Sequence, residues 1–219
     1  MHSDVAAQLA MVEVKSGVPV VVCDADEVVF DFMTGFEAFL GRAGLYFTWE
    51  AYRLDGNLRR RADDAPIAVE DVRRAVENFF ARHTETLDPV PGAGAALARL
   101  ARRAQVVILS NVPFDCREAR RRALERHAMP YALVANVGAK GPAVRELARR
   151  AGAPAYFIDD SPTHHADVAR LAGHVMRVHF VGHARLARLI GPAPASHVRA
   201  DTWPDVVAAI EDDLELRAS

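Results

Sequence analysis

Two acidic residues follow the most strand-prone run of the sequence. Asp24 and Asp26 come directly after residues 18–23, and side chains two positions apart on a strand project to the same side. Two carboxylates this close repel each other unless a cation lies between them or one of them holds a proton. The pair therefore fits a Mg²⁺ site, an acid/base pair or both, although an isolated Asp-x-Asp also fits a turn after a strand.

Further polar residues follow later apolar segments or open the helices after them: Ser110, Asn111, Lys140, Asp159 and Asp160. Because ligands of open parallel sheets bind outside the carboxyl ends of the strands, we expect these side chains to converge on the aspartate pair. Carboxylate oxygens suit Mg²⁺, which keeps several waters and a substrate phosphate. A hydroxyl, an ammonium group and the N–H groups of helix N-termini suit the phosphate oxygens.

Lys140 is conspicuous for a second reason. Of the 27 basic residues only Lys15 and Lys140 are lysine, and all the others are arginine. Lysine supplies a compact point charge on a flexible stem, whereas arginine supplies a planar fork. This use of lysine makes Lys140 a candidate functional residue.

Strand-like and helical segments alternate along most of the chain, which predicts an α/β fold with a doubly wound, mostly parallel sheet and helices on both faces. Strands are predicted at 18–23, 105–109, 132–137, 155–158, 175–179 and, more weakly, 197–199. Helices are predicted at 3–12, 93–103, 115–127, 142–151, from Ser161-Pro162 onward, and at 203–216.

Residues 34–87 are too long for a plain crossover between strands, which needs only a dozen or so residues. Apolar spacing predicts three helices there, around 36–40, over 47–54 and over 69–80. We therefore expect a small helical unit at 34–87, inserted into a main domain formed by 1–33 and 88–219. An aromatic and basic group in the insert is expected to supply one or two residues to the cleft: Phe47, Trp49, Tyr52, Arg53 and Arg59.

Composition narrows the function classes. The 219 residues carry a net charge of −2, so no basic field points to nucleic acid, and no apolar run is long enough for a membrane span. Two cysteines give no disulfide framework, which predicts a cytoplasmic location.

Arginine clusters such as 120–122 are interpreted as solvated helix faces. His164 and His165 are expected in a supporting or surface position rather than as zinc ligands, and the oligomeric state is unknown at this stage.

Four segments in order resemble the motifs of the haloacid dehalogenase-like (HAD) hydrolase superfamily. They are Val-Val-Val-Cys-Asp24-Ala-Asp26, Val-Ile-Leu-Ser110-Asn, Lys140-Gly-Pro and Phe-Ile-Asp159-Asp160-Ser. The resemblance implies a Rossmann-like core with 34–87 as its cap. The chain departs from the family pattern at Glu27-Val28, where Gly-Thr is usual, and this departure brings a fifth acid and removes a hydroxyl.

The resemblance also implies roles for the residues of the motifs. Asp24 would be the nucleophile and Asp26 the general acid/base, while Ser110 and Lys140 would hold the transferred phosphoryl group, with Asn111 as a further substrate-binding candidate. Mg²⁺ would be bound by Asp160, by Asp24 and by the backbone carbonyl of Asp26. Asp159 would act in a second layer or through water.

These roles predict a Mg²⁺-dependent phosphohydrolase that acts on a small phosphorylated metabolite through an aspartyl-phosphate intermediate. A haloacid dehalogenase and a phosphomutase of the same fold are alternatives, and so is a catalytically silent protein that binds a phosphorylated ligand. A response-regulator receiver is disfavoured, because its lysine comes after its acids, whereas Lys140 precedes Asp159 and Asp160.

Overall fold

The computed structural model describes residues 1–217, and its centre is a six-stranded parallel sheet. The strands of the chain are β1 (Val20–Cys23), β2 (Leu45–Phe47), β3 (Leu58–Arg60), β4 (Gln105–Ser110), β5 (Ala132–Ala135), β6 (Ala155–Asp159), β7 (Met176–Phe180) and β8 (Val198–Ala200). The sheet has the order β5-β4-β1-β6-β7-β8, and each neighbouring pair in it is parallel. The predicted strands of the main domain are confirmed.

Helices cover both faces of this sheet. The α-helices among residues 1–217 are α1 (Ser3–Met11), α2 (Phe32–Arg42), α3 (Val69–His83), α4 (Ala93–Leu100), α5 (Arg117–Arg126), α6 (Gly141–Ala151), α7 (Pro162–Leu171), the short α8 (Ala184–Ala187) and α9 (Trp203–Leu216). Apolar residues of α1, α6 and α7 pack on one face of the sheet, and those of α4, α5 and α9 pack on the other. This arrangement confirms the doubly wound α/β fold.

The central strand fixes where the candidate residues lie. All four residues of β1 are fully buried, as expected for a parallel strand that is covered on both faces. In the register of the sheet, Cys23 pairs with Ile108 on one side and with Ile158 on the other. Asp24, Ser110 and Asp159 therefore lie at the same edge of the sheet.

The insert differs from the prediction at residues 47–54, where the predicted helix is wrong. Instead β2 pairs antiparallel with β3, and the connecting segment 48–57 is an irregular loop. Thr48 and Asn57 close this loop, since the Thr48 N–H donates to the Asn57 carbonyl at 2.9 Å and their side chains bond at 2.8 Å. The consecutive Tyr46, Phe47 and Thr48 have the high strand propensity that the helical spacing obscured.

The two long helices of the insert, α2 and α3, agree with the prediction. Phe32, Phe36 and Phe79 bring them together, and these rings belong to the same apolar cluster as Val28 and Phe30 beside the sheet. The boundaries 34 and 87 stay a prediction. Among the described residues, no helix is long and apolar enough to span a membrane.

Gly141, the residue after Lys140, allows α6 and α7 to approach closely. Its N–H donates to the Asp167 carboxylate at 2.6 Å, and a Cβ at this position would lie 2.8 Å from the Asp167 backbone oxygen. We expect Gly141→Ala to lower the free energy of unfolding by about 1–3 kcal/mol, because α6 must move away from α7.

Gly41→Ala is the matched control for urea unfolding. Nothing lies within 4 Å of a Cβ added at Gly41, which is in α2, so this substitution should raise stability by up to about 1 kcal/mol. A Gly141→Ala protein as stable as wild type would contradict the packing described here.

Candidate active site

A buried lysine joins the ends of two neighbouring strands. The Lys140 side chain is fully buried, and its Nζ lies 2.7 Å from Asp24 Oδ1 and 2.7 Å from Asp159 Oδ2. Lys140 directly precedes α6, while Asp24 follows β1 and Asp159 ends β6. One ammonium group thus holds the carboxylates of two strands together at the edge of the sheet where ligands are expected.

The pKa values in this cluster reflect burial and mutual charge. Burial raises the pKa of Asp24 well above its ordinary value, against the opposing effect of Lys140. For Asp159 the charge and hydrogen bond of Lys140 outweigh burial, so its pKa is lowered. Burial alone would lower the pKa of Lys140, but Asp159 and Asp24 raise it, so Lys140 stays charged at neutral pH. The lysine is therefore a permanent cation between the two acids.

Asp24 has one carboxylate oxygen to spare. Its Oδ1 accepts from Lys140 and from the Ala25 N–H at 2.7 Å. Within residues 1–217, no hydrogen bond occupies Oδ2. The Asp24 side chain is about one-tenth exposed, so a small ligand can reach part of it.

Asp160 completes an acidic cluster and meets the insert. Carboxylate oxygens of Asp24, Asp159 and Asp160 all lie within 4.8 Å of one another. The Tyr52 hydroxyl, in the loop 48–57, donates to the Asp160 carboxylate and lies 3.0 Å from the Asp160 backbone oxygen. Burial and the charge of Asp159 raise the pKa of Asp160 to about 7. One residue of the insert thus reaches the group that the sequence predicts as a direct metal ligand.

The second aspartate of the opening pair has two partners. Ser110 Oγ donates to Asp26 Oδ2 at 3.2 Å, and the guanidinium of Arg120 pairs with Asp26 Oδ1. The Asp26 side chain is one-fifth exposed. Ser110 also accepts from the Val112 N–H at 3.1 Å, which fixes its hydroxyl at the end of β4. Asp26 and Ser110 are therefore brought together, as the sequence predicts.

Arg120 corrects the interpretation of residues 120–122 as a solvated helix face. Its side chain is fully buried, and its guanidinium lies 4.7 Å from the centre of the Phe30 ring. Arg121 and Arg122 do lie at the surface, where they pair with Glu118. The three arginines differ because α5 turns Arg120, with Ala123 and Leu124, toward the sheet.

Asn111 bonds within its own surroundings rather than to the acidic cluster. Its Nδ2 donates to the Gly138 carbonyl at 3.0 Å, and its Oδ1 accepts from Asn136 at 2.8 Å. These contacts brace the segment that leads to Lys140. The predicted role of Asn111 in substrate binding stays a prediction.

Glu27, at the position where the resembling motif usually has glycine, closes the turn after Asp26. It has a φ of 61°, in the left-handed region that costs a non-glycine residue about 1–2 kcal/mol. Its N–H donates to the Phe30 carbonyl at 2.8 Å, and its buried carboxyl accepts from the Met33 N–H at the start of α2. Burial raises the pKa of Glu27 well above its ordinary value. The side chain thus ties the turn to the insert.

Two histidines support the backbone of the Asp159-Asp160 pair. His165 Nε2 lies 2.9 Å from the Asp159 carbonyl, which agrees with the supporting role predicted for it. His179 Nε2 lies 2.9 Å from the Asp160 carbonyl, and sequence reasoning missed this residue because β7 looks like an ordinary buried strand. Burial lowers the pKa of His165, and that of His179 to about 4, so both rings are neutral at neutral pH.

The donor set fits a hard divalent cation. Five carboxyl groups lie at this edge of the sheet: Asp24, Asp26, Glu27, Asp159 and Asp160. Lys140 pairs with Asp24 and Asp159, and Arg120 pairs with Asp26. Besides burial, the negative charge of neighbouring carboxylates raises the pKa of Asp24 and of Asp160. Oxygen ligands and excess negative charge are what Mg²⁺ requires.

No protein-family model and no curated protein matches this chain. Several solved structures do match this chain. A conserved haloacid dehalogenase-like protein of unknown function from Agrobacterium tumefaciens is 17% identical, with a TM-score of 0.62 over 90% of this chain and 100% of the other. A HAD family hydrolase from Deinococcus radiodurans, solved with bound phosphate and sodium, is 19% identical, with a TM-score of 0.59 over 90% and 97%.

A third similar structure is a variant of CbbY from Rhodobacter sphaeroides in complex with xylulose-(1,5)bisphosphate. It is 16% identical, with a TM-score of 0.54 over 85% of this chain and 95% of the other. All three matches span most of both chains. The chain therefore has the haloacid dehalogenase-like fold.

Proposed function

We propose that this protein is a Mg²⁺-dependent phosphohydrolase that acts on a small phosphorylated metabolite through an aspartyl-phosphate intermediate. The observation that carries the proposal is the arrangement around Asp24: Lys140 holds one of its carboxylate oxygens and leaves the other without a partner. Phosphate bound to the Deinococcus protein and a sugar bisphosphate bound to CbbY support this chemistry on the same fold.

The first step is attack by Asp24. Its carboxylate forms an O–P bond while the ester O–P bond of the substrate breaks, and the leaving oxygen takes a proton from Asp26. To deliver that proton, Asp26 must release at least one of its present partners, Ser110 or Arg120. Release of Ser110 frees its hydroxyl to bind the oxygens of the phosphoryl group.

The second step regenerates Asp24. Asp26 removes a proton from water, the water oxygen attacks phosphorus, and the bond between phosphorus and the Asp24 oxygen breaks. Lys140 lies against Asp24 Oδ1 at 2.7 Å and counters negative charge on the carboxylate as it leaves. Proton transfer of this kind contributes about 10²–10⁴-fold to a reaction rate.

Asp24, Asp160 and the backbone carbonyl of Asp26 would hold Mg²⁺, which would supply positive charge to the phosphoryl oxygens. Asp159, paired to Lys140 at 2.7 Å, supports the site without binding the metal directly, or binds it through water. Tyr52, which donates to Asp160, orients this ligand from the insert.

The cytoplasm is the proposed compartment, since Cys23 and Cys116 are both free and buried.

Phosphate release from a panel of small phosphate esters, with Mg²⁺ and with EDTA, tests the function. We expect activity that EDTA removes and that Asp24→Asn lowers by at least about 1,000-fold, because the variant lacks the nucleophile. Asp212→Asn makes the same change at an exposed position in α9 and should leave activity unchanged. Wild-type activity in Asp24→Asn would rule out this mechanism.

The role given to Tyr52 is tested by metal binding itself. A hydrogen-bond partner of a ligating carboxylate typically contributes about 10–100-fold to metal affinity. We expect Tyr52→Phe to weaken Mg²⁺ binding by about tenfold in calorimetric titration.

Tyr46→Phe is the control for this titration. Tyr46 bonds to Asp64 in the hairpin of the insert and does not contact the acidic cluster, so its loss should leave Mg²⁺ affinity unchanged. Equal or tighter Mg²⁺ binding by Tyr52→Phe would show that Tyr52 does not orient a metal ligand.

A further inference from the structure

A cavity of about 150 Å³ lies between the acidic cluster and the insert. Asp160 and Glu27 line it from the main domain, and Tyr52 and Leu54 line it from the loop 48–57. Asp160 lies in its wall, and a carboxylate oxygen of Asp160 lies within 4.8 Å of one of Asp24. We refer to it below as the insert cavity.

Most of the wall of the insert cavity is hydrocarbon. Five apolar side chains contribute to it, from α2, the hairpin, its loop and α8: Phe32, Met33, Phe47, Leu54 and Leu186. Four of them are buried, with Leu54 half-buried. Apolar surface thus faces the space from both the insert and the main domain.

Two of the polar groups in the wall have partners of their own. Glu27 accepts from the Met33 N–H, and Tyr52 donates its only hydroxyl hydrogen to Asp160. Arg53 also lines the cavity and is exposed. A substrate with several hydroxyl groups would lose hydrogen bonds to water wherever those groups meet the apolar part of the wall.

The volume of the insert cavity gives a scale for the group that it can hold. An engineered protein cavity of about 150 Å³ with apolar walls binds benzene. The insert cavity has the same volume, so it accommodates an organic group of about six carbon atoms.

We infer that the substrate is a phosphate ester of a compact, hydroxyl-poor alcohol of about six carbons, rather than a sugar phosphate. The inference rests on the proposed phosphohydrolase function and specifies its substrate class. The apolar part of the wall favours such a group over a polyol of equal size.

Two esters of matched shape test the inference. Cyclohexylmethyl phosphate and glucose 6-phosphate are both esters of a primary alcohol on a six-membered ring, and they differ chiefly in the hydroxyl groups. We expect kcat/KM for cyclohexylmethyl phosphate to be at least about tenfold higher, within the range by which apolar pockets discriminate. Equal or higher kcat/KM for glucose 6-phosphate would overturn the inference.

Leu54→Gln adds hydrogen-bonding groups to the cavity wall and should reduce this preference several-fold. Val69→Gln makes a comparable change at an exposed position outside the cavity and should leave the preference unchanged. An unchanged ratio in a folded Leu54→Gln protein would show that the cavity does not hold the alcohol part.

The outcomes separate the two proposals. Asp24-dependent hydrolysis that favours glucose 6-phosphate would overturn the substrate class and leave the phosphohydrolase function standing. If neither ester nor a generic aryl phosphate were hydrolysed with Mg²⁺ present, the function would fail and the substrate class with it.

Discussion

The burial of one ammonium group between two carboxylates is the constraint on which the rest of this site depends. An unpaired buried charge costs several kcal/mol, so Lys140 is tolerable in the core only because Asp24 and Asp159 both lie 2.7 Å from its Nζ. This requirement fixes the end of β1 against the end of β6 and the start of α6. Removing the lysine would leave two buried acids facing each other.

A second constraint is the attachment of the insert to the main domain. The loop 48–57 is fixed at two places: Tyr52 bonds to Asp160, and Trp49 stacks on His183 at 4.9 Å with the Arg185 guanidinium 3.7 Å from its ring. Because the same loop contributes Leu54 to the insert cavity, the geometry of the cavity depends on these contacts. Metal ligand, insert and cavity wall are therefore parts of one connected arrangement.

The sheet and the acidic residues at its edge could be predicted because their signals are local. A run such as 18–23 has the composition of a buried parallel strand, and the residue after such a strand must lie at its carboxyl end. Arg120 could not be distinguished from Arg121 and Arg122 by composition, since only the packing of α5 decides which arginine is buried. The contact of Tyr52 with Asp160 joins residues 108 positions apart, and the hairpin in the insert follows from pairing with residues 58–60. Contacts between residues so far apart in the sequence cannot be predicted from the spacing of residue types.

The central claim is that Asp24 receives the phosphoryl group, and the most direct measurement is to trap it there. Wild-type protein would be mixed with Mg²⁺ and p-nitrophenyl phosphate and quenched in acid, and the peptide containing Asp24 examined by fragmentation mass spectrometry. The account predicts one phosphoryl group on Asp24, absent from Asp24→Asn protein. Phosphate release with no phosphorylated Asp24, or with the group on Asp26, Asp159 or Asp160, would contradict it.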